Sequence, residues 1–186
     1  MTIDINQHKI AIGDKYNIYF DKELAFKAST KLFRFFLSTI ILTDLQGRQM
    51  VTIERKFNWL KAKYIISGID NSNWTFKTKQ LWKMHYDCQV GSDKYDLYGH
   101  KGRKVSIFKN DKQVAFFDKS AVSWFEGDNY KIIADDDCHP TLLTSFVLIW
   151  DNFFSNDRED STVTYDLGNI GPQARTFDKN WIPKKK

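Results

Sequence analysis

From Gln7 to Asp137 apolar and polar positions alternate with period two in short stretches, each closed by turn residues. Tyr16 to Phe20 is such a stretch, ended by Asp21-Lys22, and Phe33 to Thr43 is another. Asp44-Leu45-Gln46-Gly47 then turns the chain into Met50 to Arg55, the signature of a hairpin. The same grammar yields Ala62 to Ile69, Trp74 to Lys79, Met84 to Val90, Tyr95 to Tyr98, Lys104 to Lys109, Gln113 to Asp118, Val122 to Phe125 and Tyr130 to Ala134. Turns fall at the 8–12-residue spacing of a sandwich or barrel, so the pattern predicts about a dozen antiparallel strands.

After Asp135-Asp136-Asp137 the period changes. Pro140 suits the first turn of a helix, and Asp137 or His139 stands where a cap belongs. Between Pro140 and Phe154 the apolar residues Leu142, Leu143, Phe146, Val147, Leu148, Ile149, Trp150, Phe153 and Phe154 cover every side of the helical wheel. A helix apolar all round is buried. About 15 residues rise roughly 22 Å, short of the ~20 residues that cross a bilayer, so this is a core helix. The fold class is therefore mainly β: a closed antiparallel barrel of about twelve strands around a buried C-terminal helix, Pro140 to Phe154. Residues 1–155 form that domain. Residues 156–186 form a polar extension, with one further strand at Thr162 to Tyr165 and a frayed end at Lys184-Lys185-Lys186.

Composition adjusts this picture only slightly. The 186 residues suffice for one self-sufficient core. Aromatics make up 16% of the chain, and many sit in the alternating runs, where they favour strands. The formal charge of +5 arises from 28 bases interleaved with 23 acids, not from one basic stripe. That weakens a nucleic-acid reading and suits an anionic membrane surface or an acidic protein equally. Cys88 and Cys138 lack CxxC spacing and read as small buried hydrophobes more readily than as a disulfide. Met1 to Gln7 has no apolar signal core, which makes cytoplasmic residence the default expectation.

Apolar Leu148-Ile149-Trp150 running through Asp151-Asn152 into Phe153-Phe154 resembles the helix of phospholipid scramblases. The acidic Asp135 to Asp137 is similar to the segment that precedes that helix. The hairpin Ile41 to Arg48 looks like the Asp-x-x-Gly turn of LURP-one-related domains. Strand order and these motifs together resemble the tubby-like superfamily over Tyr16 to Phe154. The resemblance implies a barrel threaded by a hydrophobic helix, with phosphoinositide or membrane-surface binding in some members. The chain departs from it by some thirty residues after the helix, and by lacking the proline-rich and cysteine-rich N-terminal region of animal scramblases. No phosphate-binding motif of the tubby group aligns residue by residue.

Candidate chemistry is sparse. No GxSxG, HExxH, Walker or GxGxxG pattern occurs, no catalytic residue stands out and no cofactor is implied. Asp135, Asp136 and Asp137 offer oxygen ligands to a hard cation, but capping and the helix dipole explain them better. Cys138 and His139 diverge at a helix start, and His8, His85 and His100 share no metal spacing. The best candidates are the turn-borne bases Lys101, Arg103 and Lys104, followed by Arg55, Lys61 and Lys63. Bases of this kind converge on anions when they meet at one end of a barrel. Their bland alternative is edge charge that prevents aggregation. Trp59, Trp82 and Trp124 belong to the barrel wall or to a ligand mouth. The expected function is a non-catalytic binding module for an anionic lipid head group or a protein. The rivals are a scramblase-like protein whose helix enters a bilayer, and an enzyme whose barrel-mouth pocket holds two or more of His85, His100, Asp87 and Asp96.

Overall fold

The computed structural model describes residues 1–9, 14–33, 37–58, 61–69, 71–119, 129–159 and 173–186. Twelve strands close into an up-and-down antiparallel barrel: β1 (Thr2–Lys9), β2 (Asp14–Phe20), β3 (Glu23–Phe33), β4 (Leu37–Thr43), β5 (Gln49–Arg55), β6 (Lys63–Ser67), β7 (Asn73–Gln80), β8 (His85–Val90), β9 (Asp93–Gly99), β10 (Lys104–Lys109), β11 (Lys112–Asp118) and β12 (Asn129–Ala134). Every neighbour in the barrel is also the neighbour in sequence except where β1 closes on β12, with Ile5 opposite Tyr130. Closure leaves no free edge. Helix α1 (Pro140–Glu159) follows β12.

Strand alternation decides what faces inward. Ile3 and Ile5, Tyr16 and Ile18, Ile40 and Leu42, Val51 and Ile53, and Tyr64 and Ile66 are buried on β1, β2, β4, β5 and β6, while their sequence neighbours face outward. The helix fills the space they enclose: Phe146, Val147, Leu148 and Ile149 are wholly buried. Phe146 packs against Phe76 and Tyr95, and Trp150 against Tyr86 and Phe117. Gly99 makes room for that ring, since a Cβ there would lie 3.1 Å from Trp150 and 2.8 Å from the Met84 Cβ.

The barrel and its buried helix match the expectation from sequence, with three differences. β1 and β3 are strands that the alternation reading did not name. β1 carries Asp4 and Asn6 between its isoleucines, and β3 is diluted by Lys27, Ser29 and Lys31. The helix continues to Glu159, five residues beyond Phe154, because nothing after Phe154 breaks it. Lys184 and Lys186 are not frayed: their backbone N–H groups donate to Asp135 (2.7 Å) and Asp136 (3.1 Å), and Lys184 accepts from the Asp136 N–H. The proposed strands at Val122 to Phe125 and Thr162 to Tyr165 lie outside the described residues.

Candidate functional site

Because the strands alternate in direction, every connection from an odd to an even strand opens at one end of the barrel, here called the rim. Connections from even to odd strands, and the approach to α1, lie at the opposite, closed end. Four strands separate the β5–β6 connection from the β9–β10 turn, so both basic groups reach the rim. They do not merge. Four inter-strand spacings put them on the order of 20 Å apart around the wall.

Lys101 and Arg103 are exposed in the β9–β10 turn, where Arg103 adopts a left-handed backbone with φ 64°. Lys104 opens β10, 3.5 Å from Asp118 and over the ring of Phe177. Lys61 and Lys63 are exposed at the start of β6. Arg55 differs from the rest. It continues the inward phase of Val51 and Ile53, is half-buried and lies over the Phe153 ring of α1. Its Nη1 is buried and has no hydrogen-bond partner among the described residues. Between the two groups a short 3₁₀ turn, Leu81–Lys83, carries exposed Lys83 and Trp82, which is 81% exposed. Phe57, beside Lys56 on the β5–β6 connection, is 68% exposed. These are the two exposed large aromatics among the described residues of the rim, and of the two only Trp82 is among the candidates the sequence offers. Trp59 and Trp124 lie outside the described residues.

Just beneath the rim the helix is locked to the wall. Asp151 Oδ2 accepts from Gln7 Nε2 (3.1 Å) and Tyr16 OH (2.7 Å), and its Oδ1 accepts from Tyr130 OH (2.5 Å). Asn152 Oδ1 accepts from Ser38 Oγ (2.8 Å) and Tyr64 OH (2.9 Å). The Asp-Asn step thus ties α1 to β1, β2, β12, β4 and β6. Burial, and then the Asp151 charge, push the Tyr16 hydroxyl well above its usual pKa.

The acidic run does not act as a cap. No acid lies in the first turn of α1, and His139 occupies the cap position, its carbonyl accepting from Leu143 N–H. Asp136 ion-pairs with the Met1 amine, and Asp135 holds Lys184, so the run clasps the chain's two ends instead. Among the described residues no three His, Cys, Asp or Glu side chains gather as metal ligands. Cys88 and Cys138 are free thiols. Burial raises their pKa values to about 12 and about 11, so both are poorly nucleophilic.

A groove of about 680 Å³ lies outside the barrel, between the C-terminal segment 173–186 and β10 to β12. Of the four residues considered for a barrel-mouth site, His100 alone is among those lining this groove. His85 and Asp96 are buried and bonded to one another (2.7 Å), with Lys94 also on Asp96 (2.6 Å). Burial would raise the Asp96 pKa, but Lys94 and His85 outweigh it and hold the carboxyl below its usual range. Asp87 faces outward on β8 opposite Asp96. Inside the barrel, α1 is bonded to the wall through Asp151 and Asn152.

A closed twelve-strand barrel around one buried helix is the architecture expected of the tubby-like superfamily. A profile of the LURP-one-related family matches residues 1–151. The chain belongs to the LURP-one-related family. That match spans all twelve strands and ends within α1, extending the resemblance seen from Tyr16 onward to the first residue. No curated protein and no solved structure matches the chain. No described helix is long and apolar enough to cross a membrane.

Proposed function

We propose that this LURP-one-related protein is a non-catalytic binding module that docks its rim on an anionic membrane surface, as at the cytoplasmic leaflet. One observation carries the reading. The rim collects exposed Lys61, Lys63, Lys83, Lys101 and Arg103, with no ion pair to any of them among the described residues, together with exposed Phe57 and Trp82. Bases attract anionic head groups at about 1 kcal/mol each, and aromatic side chains settle at the interface between head groups and acyl chains. The unsatisfied Arg55 Nη1 adds a donor set back from the surface, suited to a phosphate oxygen.

Liposome flotation tests this. The protein should co-float with vesicles of phosphatidylcholine containing anionic phosphatidylserine at low salt, and not with phosphatidylcholine alone. Association should vanish near 1 M salt, where the screening length falls to about 3 Å. The double change Phe57→Ser, Trp82→Ser should weaken flotation at every salt concentration. Absence of flotation at low salt would sink the lipid reading and leave an acidic protein surface as the partner for the same bases. Scramblase-like insertion of α1 requires breaking the Asp151 and Asn152 bonds. Flotation that persists in high salt would point to it.

A further inference from the structure

The groove under the C-terminal segment differs in chemistry from the rim. One wall is the outer face of β10 to β12, where Phe116 stands out. The other is the segment itself, carrying Phe177, Trp181 and Ile182. Phe116 meets both Phe177 and Trp181 edge to face, at 5.5 and 6.0 Å between ring centroids. The segment is held in place: Trp181 Nε1 donates to the Gln113 carbonyl (3.1 Å), and Lys184 N–H donates to Asp135. The apolar floor is thus built by fixed contacts. Ile182 stays 79% exposed beside it.

The lining carries one carboxylate, Asp178, and three lysines, two of which, Lys101 and Lys104, stand at the β9–β10 turn. Lys101 is exposed, and Lys104 is loosely engaged with Asp118 at 3.5 Å. His100 is 3% exposed, and its Nε2 pairs with Ser106 Oγ at 2.6 Å. Burial, opposed in part by Gln173 and the Arg175 backbone, pushes the His100 pKa down to about 4. The ring is therefore neutral at pH 7. With Ser106 donating to Nε2, the Nδ1–H is turned toward Gln173 and the Arg175 backbone, and the ring is a neutral wall of the groove.

We infer that this groove is a binding site for a small amphipathic anion, a carboxylate or phosphate monoester carrying an acyl chain or aromatic ring. The acidic head lies against Lys101 and Lys104, and the apolar body lies along Phe116, Phe177 and Trp181. Charge complementarity selects the head, and the aromatic floor rejects small inorganic anions, which gain nothing from it. The site is independent of membrane docking by Phe57 and Trp82, although Lys101 borders both.

The test uses the full-length protein and 8-anilinonaphthalene-1-sulfonate, an aromatic anion whose fluorescence rises on leaving water. Expected is saturable one-to-one binding at micromolar concentration. Dodecanoate and dodecyl phosphate should displace the dye, whereas inorganic phosphate and dodecyltrimethylammonium should not. Ile182→Glu places a carboxylate at the groove from an exposed position, so it should weaken binding about tenfold without changing the melting temperature. Lys101→Ala with Lys104→Ala should weaken it to a similar degree. Binding that is non-saturable, equally displaced by the cationic surfactant, or unaffected by Ile182→Glu would overturn the assignment. The two readings fail separately: Ile182→Glu leaves flotation intact, and Phe57→Ser with Trp82→Ser leaves dye binding intact.

Discussion

The two ends of the barrel solve different problems with the same strands. At the closed end the connections are short and carry left-handed residues such as Asp21, Lys22, Asn110 and Asp111, the conformation that tight hairpins require. Three carboxylates there are matched: Asp44 with Arg48, Asp93 with Lys109, Asp136 with the chain's own amine. At the rim Lys56 pairs with Glu54 and Lys104 lies near Asp118, but Lys61, Lys63, Lys83, Lys101 and Arg103 have no carboxylate partner among the described residues, two exposed aromatics stand beside them, and the buried hydrogen bonds lie one layer below. A surface whose charges are satisfied internally has little to offer a partner. The rim's unmatched charge is available for binding, and the Asp151 latch supplies the rigidity that would present it.

The largest effect should come from breaking what both ends share. Phe146 is wholly buried between Phe76 and Tyr95 in the middle of α1. Phe146→Asp would bury a carboxylate in that apolar packing at a cost of several kcal/mol, comparable with a domain's total stability of roughly 5–15. The expected outcome is a protein that does not fold. A soluble variant with the parent's circular dichroism and melting temperature would show that the helix is not the core.

Next comes the latch, which acts at the rim side alone. Asp151→Ala leaves the Gln7 amide and the Tyr16 and Tyr130 hydroxyls without their shared acceptor. At about 1–3 kcal/mol per stranded buried donor, with partial relaxation, the loss should be roughly 3–5 kcal/mol by urea denaturation. The latch also sets an alkaline limit. Tyr16 ionises less readily folded than unfolded, so its contribution is full below the ordinary tyrosine pKa near 10 and declines as pH rises above it. Tyr16→Phe should flatten that decline. An unchanged alkaline limb would separate Tyr16 from it.

How much of this was legible follows from what each feature depends on. Period-two alternation exposed most strands, and an all-apolar run begun by Pro140 exposed the helix, because both signals are local. Even the shared rim was implicit: the strands read between Arg55 and Lys101 number four, and an even number returns the chain to the same end. The latch was visible only as an Asp-Asn step interrupting apolar residues. Its partners Gln7 and Tyr16 lie 144 and 135 residues away, beyond any local pattern. Capping was the natural local reading of Asp135 to Asp137, but long-range contacts with Met1 and Lys184 claimed those acids. Phe177 and Trp181, four apart in a polar segment, were the unread signal that the C-terminus docks.

A third effect isolates the rim from stability altogether. Lys101→Ala, Arg103→Ala and Lys104→Ala together remove up to about 3 kcal/mol of attraction to an anionic surface, so flotation at low salt should fall by up to a hundredfold. The melting temperature should barely move, since Lys101 and Arg103 are exposed and the Lys104 pair is loose. Flotation indifferent to this triple change would shift the docking surface toward Arg55, Lys61 and Lys63.

The smallest effect belongs to the closed end and appears only in acid. Asp93 is held below the usual carboxylate range by Lys109 and Asn110, and Asp136 by the Met1 amine and the Lys186 backbone. For Asp44, desolvation pushes upward, but hydrogen bonds from the Arg48 backbone and side chain outweigh it. A carboxyl whose folded pKa is depressed contributes stability that is present above its unfolded pKa, near 4, and lost as pH falls through the folded value. The melting temperature should therefore stay level from about pH 8 to pH 5 and decline below about pH 4. All three groups lie at the surface, partly exposed and screened, so each single step is small. Asp93→Asn should lower the melting temperature slightly at pH 7 and converge with the parent near pH 2, where the parent's carboxyl is itself neutral. The rim triple variant should trace the parent's acid limb, because the bases it removes do not face these carboxyls. If that variant instead shifts the acid limb while Asp93→Asn does not, the two ends are electrostatically coupled, and their division of labour fails.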